Sequence, residues 1–417
     1  MHADTPSAAT RRADVDHLRV VALTLLIVYH ILLIYTGREF WRVSSVHHGY
    51  WADYLLNVLT PWRMSLVFLI GGIAVRFMLS RPSFGAFVQE RAARLLTAFV
   101  FAVVVLVPPQ RFVRLDELGA NAQQDYLSYM LHEAPFAVSY MGAHVPQFAH
   151  AWFLPYLFAY SVLIGVFWWG APRAFAAVQR AISRVHVGVW IAATMLWFAF
   201  LETAGPQNPQ GDHLFFTDFQ AHLKFLPLFI FGVMIGKSEK FSGQLDAIKL
   251  PLWCAAGSLM LLSGGLEWLF LHNQLSALPW LIARGFYGAT MLFGVLAFGH
   301  WALNRPTIAS RYAADAILPI YLMHQPALII TADLIVSRAW PLPLEMAVLL
   351  SATTILPLAA YHLFVRHTPW LRFLFGLRPQ LRAPTPTDPD ADAPANDAGA
   401  PTDRKRPSFL APWRRRA

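Results

Sequence analysis

The chain has 417 residues, of which 56% are hydrophobic and only 14% charged, and its mean hydropathy is positive. That composition excludes an ordinary soluble domain and identifies an integral membrane protein. A single cysteine, Cys254, excludes an internal disulfide and a cysteine-based metal cluster; it reads as a packing residue, and no metal site is expected.

Residues 1–18 form a polar segment with Asp14 and Asp16 and do not resemble a cleavable signal peptide, so the first apolar run is expected to direct insertion. Ten runs follow, at about 19–36, 55–78, 92–109, 147–169, 186–202, 220–236, 251–271, 279–299, 314–336 and 344–365. Each is long enough to cross roughly 30 Å of hydrocarbon as a helix. With the N-terminus inside, 25 of the 33 Lys and Arg residues fall in cytoplasmic segments and 5 outside, while Arg63, Lys224 and Arg284 lie within spans. This asymmetry predicts that both termini are cytoplasmic. It also accounts for the net charge of +9 without nucleic acid, since the basic excess would meet anionic headgroups and cytosolic ligands. The predicted fold is all-α, a polytopic bundle of about ten transmembrane helices over residues 19–378. No soluble catalytic domain is expected, because no segment outside the spans is long and apolar enough to bury a core.

In the first span, Arg19 and His30 are eleven positions apart. Eleven helical steps of about 100° return to within roughly 20° of the starting direction, ~16 Å further along. Both groups therefore share one face, with Arg19 at the membrane surface and His30 near mid-membrane, where an ionisable ring is costly without a task. The plainer reading is a neutral histidine hydrogen-bonded inside the bundle. In the second span, Arg63 is expected near the outer end, either binding an acyl carboxylate or acceptor or snorkelling to the interface. The third span opens Gln89-Glu-Arg91-Ala-Ala-Arg94. Its two arginines share a face one turn apart and could clamp a phosphorylated ligand, although arginines at an inner helix end also satisfy the positive-inside rule.

Between the third and fourth spans, about 109–146, a polar loop carries Asp116, Glu117, Asp125, His132, Glu133 and His144. It is too long for a plain connection. A second external loop, about 203–219, holds Pro206, Pro209, Asp212 and His213; such loops suit a carbohydrate, or a solvated lid. Glu267, Arg284, Asp315, Asp333 and Glu345 are costly in lipid and are expected to pair in part with one another. His324, in the ninth span, is a candidate for substrate contact, whereas Tyr29, Tyr35 and Tyr321 read as interior aromatics rather than catalysts. From 379 to 417 the composition turns to Pro, Asp and small residues with basic clusters at Arg404-Lys405-Arg406 and Arg414-Arg415-Arg416. Such a tail cannot build a core and is expected to be disordered and cytoplasmic.

Three motifs resemble the acyltransferase 3 family of membrane-bound O-acyltransferases: Arg19 followed after ten residues by His30, Arg91-Ala-Ala-Arg94, and Ile320-Tyr321-Leu322-Met323-His324. Phe148-Ala-His150-Ala-Trp152-Phe-Leu-Pro and Phe225-Leu-Pro-Leu-Phe-Ile-Phe-Gly232 are similar to the family's fourth and sixth spans. Trp62-Arg63-Met64-Ser-Leu-Val-Phe-Leu-Ile-Gly71-Gly72 and Pro369-Trp-Leu-Arg372-Phe-Leu-Phe-Gly376 resemble the branch that succinylates periplasmic glucans. Gly71 departs from it, standing where that branch usually has serine.

The resemblance implies a bacterial inner-membrane enzyme that moves an acetyl or succinyl group from cytoplasmic acyl-coenzyme A to a hydroxyl of an extracytoplasmic glycan. Acyl-coenzyme A would be a co-substrate, with no tightly bound cofactor. His30 and Arg19 would then be catalytic, Arg91 and Arg94 would hold coenzyme A phosphates, and Arg63, Tyr321 and His324 would touch substrate. His30 could act as a general base or carry the acyl group as an acyl-imidazole; Asp16 is too far away to orient it. The competing reading is a proton-coupled exporter, because the same buried residues could relay protons. That class predicts internal repeats, and none is evident.

Overall fold

The computed structural model describes residues 12–37, 43–79, 83–117, 125–132, 134, 138–140, 143–145, 148–206 and 215–378. The polar tail from 379, the centre of the second external loop and Glu133 lie outside the described residues. The helices are α1 (Ala13–Ile34), α2 (Tyr50–Leu59), α3 (Arg63–Met78), α4 (Phe84–Phe101), α5 (Pro108–Glu117), α6 (Tyr126–His132), α7 (Phe153–Gly170), α8 (Pro172–Arg184), α9 (Val187–Thr203), α10 (Phe219–Ile235), α11 (Glu239–Ala247), α12 (Lys249–Leu271), α13 (Ala277–Ala302), α14 (Ile308–Ile335), α15 (Leu342–Ala360) and α16 (Pro369–Leu374). A two-stranded hairpin, Val138–Tyr140 with Ala143–Val145, adds local structure to the loop before α7.

Among the described residues, eight helical stretches are long and apolar enough to cross a membrane, and two bent pairs raise the number to ten. In those pairs α8 meets α9 at 98° and α10 meets α11 at 107°. Their apolar arms, α9 and α10, match the fifth and sixth expected spans. The chain is an all-α polytopic membrane protein.

Three spans start earlier than the hydropathy suggests. The first begins at Ala13, with Asp14 buried and paired to Arg12, so a charged segment is drawn into the helix by neutralising its own carboxylate. The second runs Tyr50–Met78 and is broken at Pro61, so Arg63 sits near its middle and not at its outer end. The third begins at Phe84, where the Ser83 side chain caps the first turn by accepting from the Ala86 N–H. Arg91 and Arg94 therefore lie two to three turns inside the helix.

The core forms where small residues let backbones meet. Gly72 on α3 and Gly232 on α10 face each other so closely that a Cβ on Gly72 would strike the Phe229 carbonyl and one on Gly232 the Leu69 carbonyl. Lipid offers no hydrophobic drive between helices, so close packing of this kind holds them together. Beside it Phe68 stacks on Phe225, centroids 4.6 Å apart. At Gly71 an added Cβ would come within 3.0 Å of Leu157 Cδ2, so the space a serine would use is filled from α7. Helix α1 runs through the middle, touching α2, α3, α13, α14 and α15.

Most costly charges are neutralised locally. Glu202 pairs with Arg284 and, at 3.4 Å, with Lys224; Glu267 accepts from Asn57. Glu345 is fully buried against Tyr35. Asp315 and Asp333 are exposed on α14, and Cys254 is exposed on α12 rather than packed.

Candidate active site

The face of α1 that carries Arg19 and His30 is lined at both ends. At the Arg19 end, Arg91 and Arg94 of α4 come close enough for the three charges to act on one another. Arg19 is steadied by Asp16 of its own helix at 3.1 Å. Arg91 is buried, its Nη1 reaching only the Met78 sulfur at 3.6 Å while its Nε makes no hydrogen bond.

A fourth arginine joins from a distant part of the chain. Gly376 adopts a left-handed conformation, φ +67°, and lies so close to the Arg94 carbonyl that a Cβ there would collide with it. Only glycine meets both demands at no cost. This turn follows α16, whose buried Arg372 donates to the carbonyls of Arg366, at 3.3 Å, and Arg378, at 2.8 Å. Arg378 then pairs with Glu90 at 3.0 Å, and its charge also reaches Arg94. Sequence reasoning noted the Pro369–Gly376 motif but missed Arg378, because the fold that returns it to α4 leaves no local signal.

At the other end, His30 meets His324 of α14, with Nδ1 and Nε2 2.9 Å apart. His324 Nδ1 bonds in turn to the Tyr321 carbonyl. A carbonyl only accepts, so His324 Nδ1 carries a proton, and in the neutral ring Nε2 is the acceptor. His30 Nδ1–H must then be the donor. The chain of bonds leaves the lone pair of neutral His30 on Nε2. His30 is four residues from the C-terminal end of α1, so about 6 Å from it and well past the helix middle, a deeper offset than the sequence suggests.

His150 completes this end, and no site role was assigned to it from sequence. Its ring lies 5.6 Å from that of His324, and its Nε2–H donates to the Leu322 carbonyl at 2.9 Å. That carbonyl is available because residue 326, one turn on, is proline and has no N–H to donate back. The Tyr321 hydroxyl donates to the His150 carbonyl, so Tyr321 acts as a clamp between α14 and the turn at His150. The preceding residue, Ala149, is held at φ +44°, a strained conformation for alanine. Arg63 lies with its guanidinium carbon 3.5 Å from the centre of the Tyr29 ring, 5% exposed. Its charge is felt at His30, Tyr321 and His324.

Six of the seven site residues predicted from sequence thus fall into two groups, Arg19 with Arg91 and Arg94, and His30 with His324 and Tyr321; Arg63 lies beside the second. A cationic end and a hydrogen-bonded histidine end on one buried helix face suit an enzyme that holds an anionic group at one place and reacts at another. The chain belongs to the acyltransferase 3 family: the profile of its acyltransferase domain matches residues 12–362. It is an acyltransferase of the membrane. Among relatives, it is 23% identical over 387 residues to "Glucans biosynthesis protein C" of Salmonella paratyphi B and of Salmonella dublin, covering 90% of this chain and 97% of each relative. The protein of that name from Salmonella paratyphi A aligns to the same extent. No solved structure matches the chain.

Proposed function

We propose that the protein transfers an acyl group from acyl-coenzyme A, taken from the cytoplasmic side, to a hydroxyl of an extracytoplasmic glycan. The observation that carries this reading is the pairing of two unlike ends along one face of α1, ~16 Å apart by helical rise. Arg91, Arg94, Arg19 and Arg378 supply the planar, forked donors that suit coenzyme A phosphates. A pantetheine arm laid along α1 would bring the thioester to His30. There Nε2 holds the lone pair of the neutral ring, as a base that accepts the proton of the attacking sugar hydroxyl or as a nucleophile that carries the acyl group. His324 orients the ring through its own bond to Tyr321. The relatives' name favours a glucan as acceptor, and the distribution of basic residues favours a bacterial inner-membrane setting with both termini cytoplasmic. The membrane domain over 19–378 and the basic tail from 379 are assigned on the same ground.

Sealed vesicles of known orientation test this. Isotope-labelled acyl-coenzyme A should be consumed only on the face bearing the N-terminus, and labelled glycan should appear only on the opposite face. Donor use from both faces, or product confined to the donor's side, would contradict transmembrane transfer.

A further inference from the structure

Arg63 is the one strongly basic group of the histidine end that the reaction as described leaves idle. Among the described residues it forms no ion pair, and its Nε and Nη1 are buried without a hydrogen-bond partner. Its neighbours are neutral, Tyr29, whose ring it covers and whose side chain also hydrogen-bonds to it, and the site residues Tyr321, His324 and His30. Arg284 and Lys224, by contrast, share Glu202, and Arg91, also without an ion pair among the described residues, belongs to the cationic end. An uncompensated cation inside a bundle costs several kcal/mol, and a fold that keeps one is holding it for an anion.

A helix start lies at the same residue. Arg63 is the first residue of α3, and the Pro61 break places that helix start inside the bundle. The backbone N–H groups of Arg63, Met64 and Ser65 have no partner within α3, whose first bond is Leu66 N–H to the Trp62 carbonyl, so the positive end of the α3 dipole lies at Arg63.

We propose that the start of α3, with Arg63 as its principal donor, is the oxyanion site of the reaction. This rests on the acyl-transfer reading above. When a nucleophile attacks the thioester carbon, a new bond forms to that carbon and the π electrons of the C=O move onto oxygen, giving a tetrahedral anion. Arg63 and the α3 N-terminus receive that charge. As the anion collapses the C=O reforms and the C–S bond breaks; the coenzyme A thiolate leaves and takes up the proton that His30 Nε2 accepted. If His30 Nε2 itself attacks, the same oxygen develops the same charge, and the C–S bond breaks to leave thiolate and acyl-imidazolium. The sugar hydroxyl then takes the acyl group as the N–C bond breaks and gives up its proton, which passes through His30 to the thiolate. The assignment therefore holds for either role of the histidine.

Three measurements on the full chain in nanodiscs test it. Arg63→Gln should lower kcat by about 10²–10³-fold, the range for losing one oxyanion donor, with the donor KM unchanged; Arg63→Lys should fall between. Isotope-edited infrared spectra of bound acetyl-coenzyme A with a ¹³C=O label should show the carbonyl stretch lowered in wild type. The shift should be lost in Arg63→Gln and kept in His30→Ala. Because the cation has no counter-ion among the described residues, Arg63→Gln should melt at or above the wild-type temperature. A rise in KM at unchanged kcat would assign Arg63 to a ground-state anion such as a carboxylate on the acyl group, and would overturn the proposal. So would an identical carbonyl band in wild type and Arg63→Gln, or a collapse of thermal stability, which marks a structural arginine. Wild-type protein that gives no band for bound thioester would remove the donor reading itself, and this proposal with it.

Discussion

The two ends of the α1 face hold their side chains in different ways. At the arginine end, charge is concentrated with little ordering: Arg91 touches a sulfur, Arg94 is partly exposed, and Arg378 is mostly exposed beside Glu90. At the histidine end the rings are ordered, His30 to His324 to the Tyr321 carbonyl and His150 to the Leu322 carbonyl. The difference follows from what each end must do. Phosphate is held by summed charge and tolerates several geometries, whereas proton transfer or attack demands one nitrogen, in one tautomer, at one place.

Substitutions should separate the two ends. The largest effect is expected for His30→Ala, which should reduce acyl transfer by at least about 10²–10⁴-fold while coenzyme A binding, measured by titration on correctly inserted protein, stays near wild type. Transfer at the wild-type rate would take His30 out of the mechanism. Replacing Arg91 and Arg94 together by Ala should produce the opposite pattern. A lost charged contact costs about 1.5–3 kcal/mol, so donor affinity should fall roughly tenfold to a hundredfold, with kcat at saturating donor largely kept. Lysine at both positions should restore only part of the affinity. Unchanged affinity together with misoriented protein would show that these arginines set topology alone. The smallest effect sharpens the histidine end: Pro326→Ala restores an N–H that competes for the Leu322 carbonyl. About one net hydrogen bond to His150, 0.5–1.5 kcal/mol, is at stake, which predicts roughly a threefold to tenfold loss in kcat with no loss of thermal stability. A kcat equal to wild type would show that the His150 ring does not depend on that bond.

What could be read in the sequence was what one helix holds by itself. Arg19 and His30 share a face because eleven residues make nearly three turns, and Arg91 and Arg94 are neighbours at i and i+3. The contact between His30 and His324, 294 residues apart, has no periodic signature. Half of the His150 contact was legible, since Pro326 announces a freed carbonyl at Leu322, but nothing local says which donor fills it. Helix starts were misjudged where polar residues are neutralised by neighbours or capped, as at Asp14 with Arg12 and at Ser83. Arg63 was assigned to a span end because hydropathy does not register that Pro61 divides one span into two helices.

The Gly376 turn bears on where the enzyme ends and its tail begins. The shared acyltransferase domain closes at residue 362, yet the compact unit runs on to Pro379, and its last stretch brings Arg378 beside Arg94. A chain cut after residue 362 would keep all that the family profile matches and lose one wall of the cationic end. Fusion partners and truncations therefore have a natural boundary just beyond Pro379. Upstream of it, a change to the C-terminus is a change to the donor end itself.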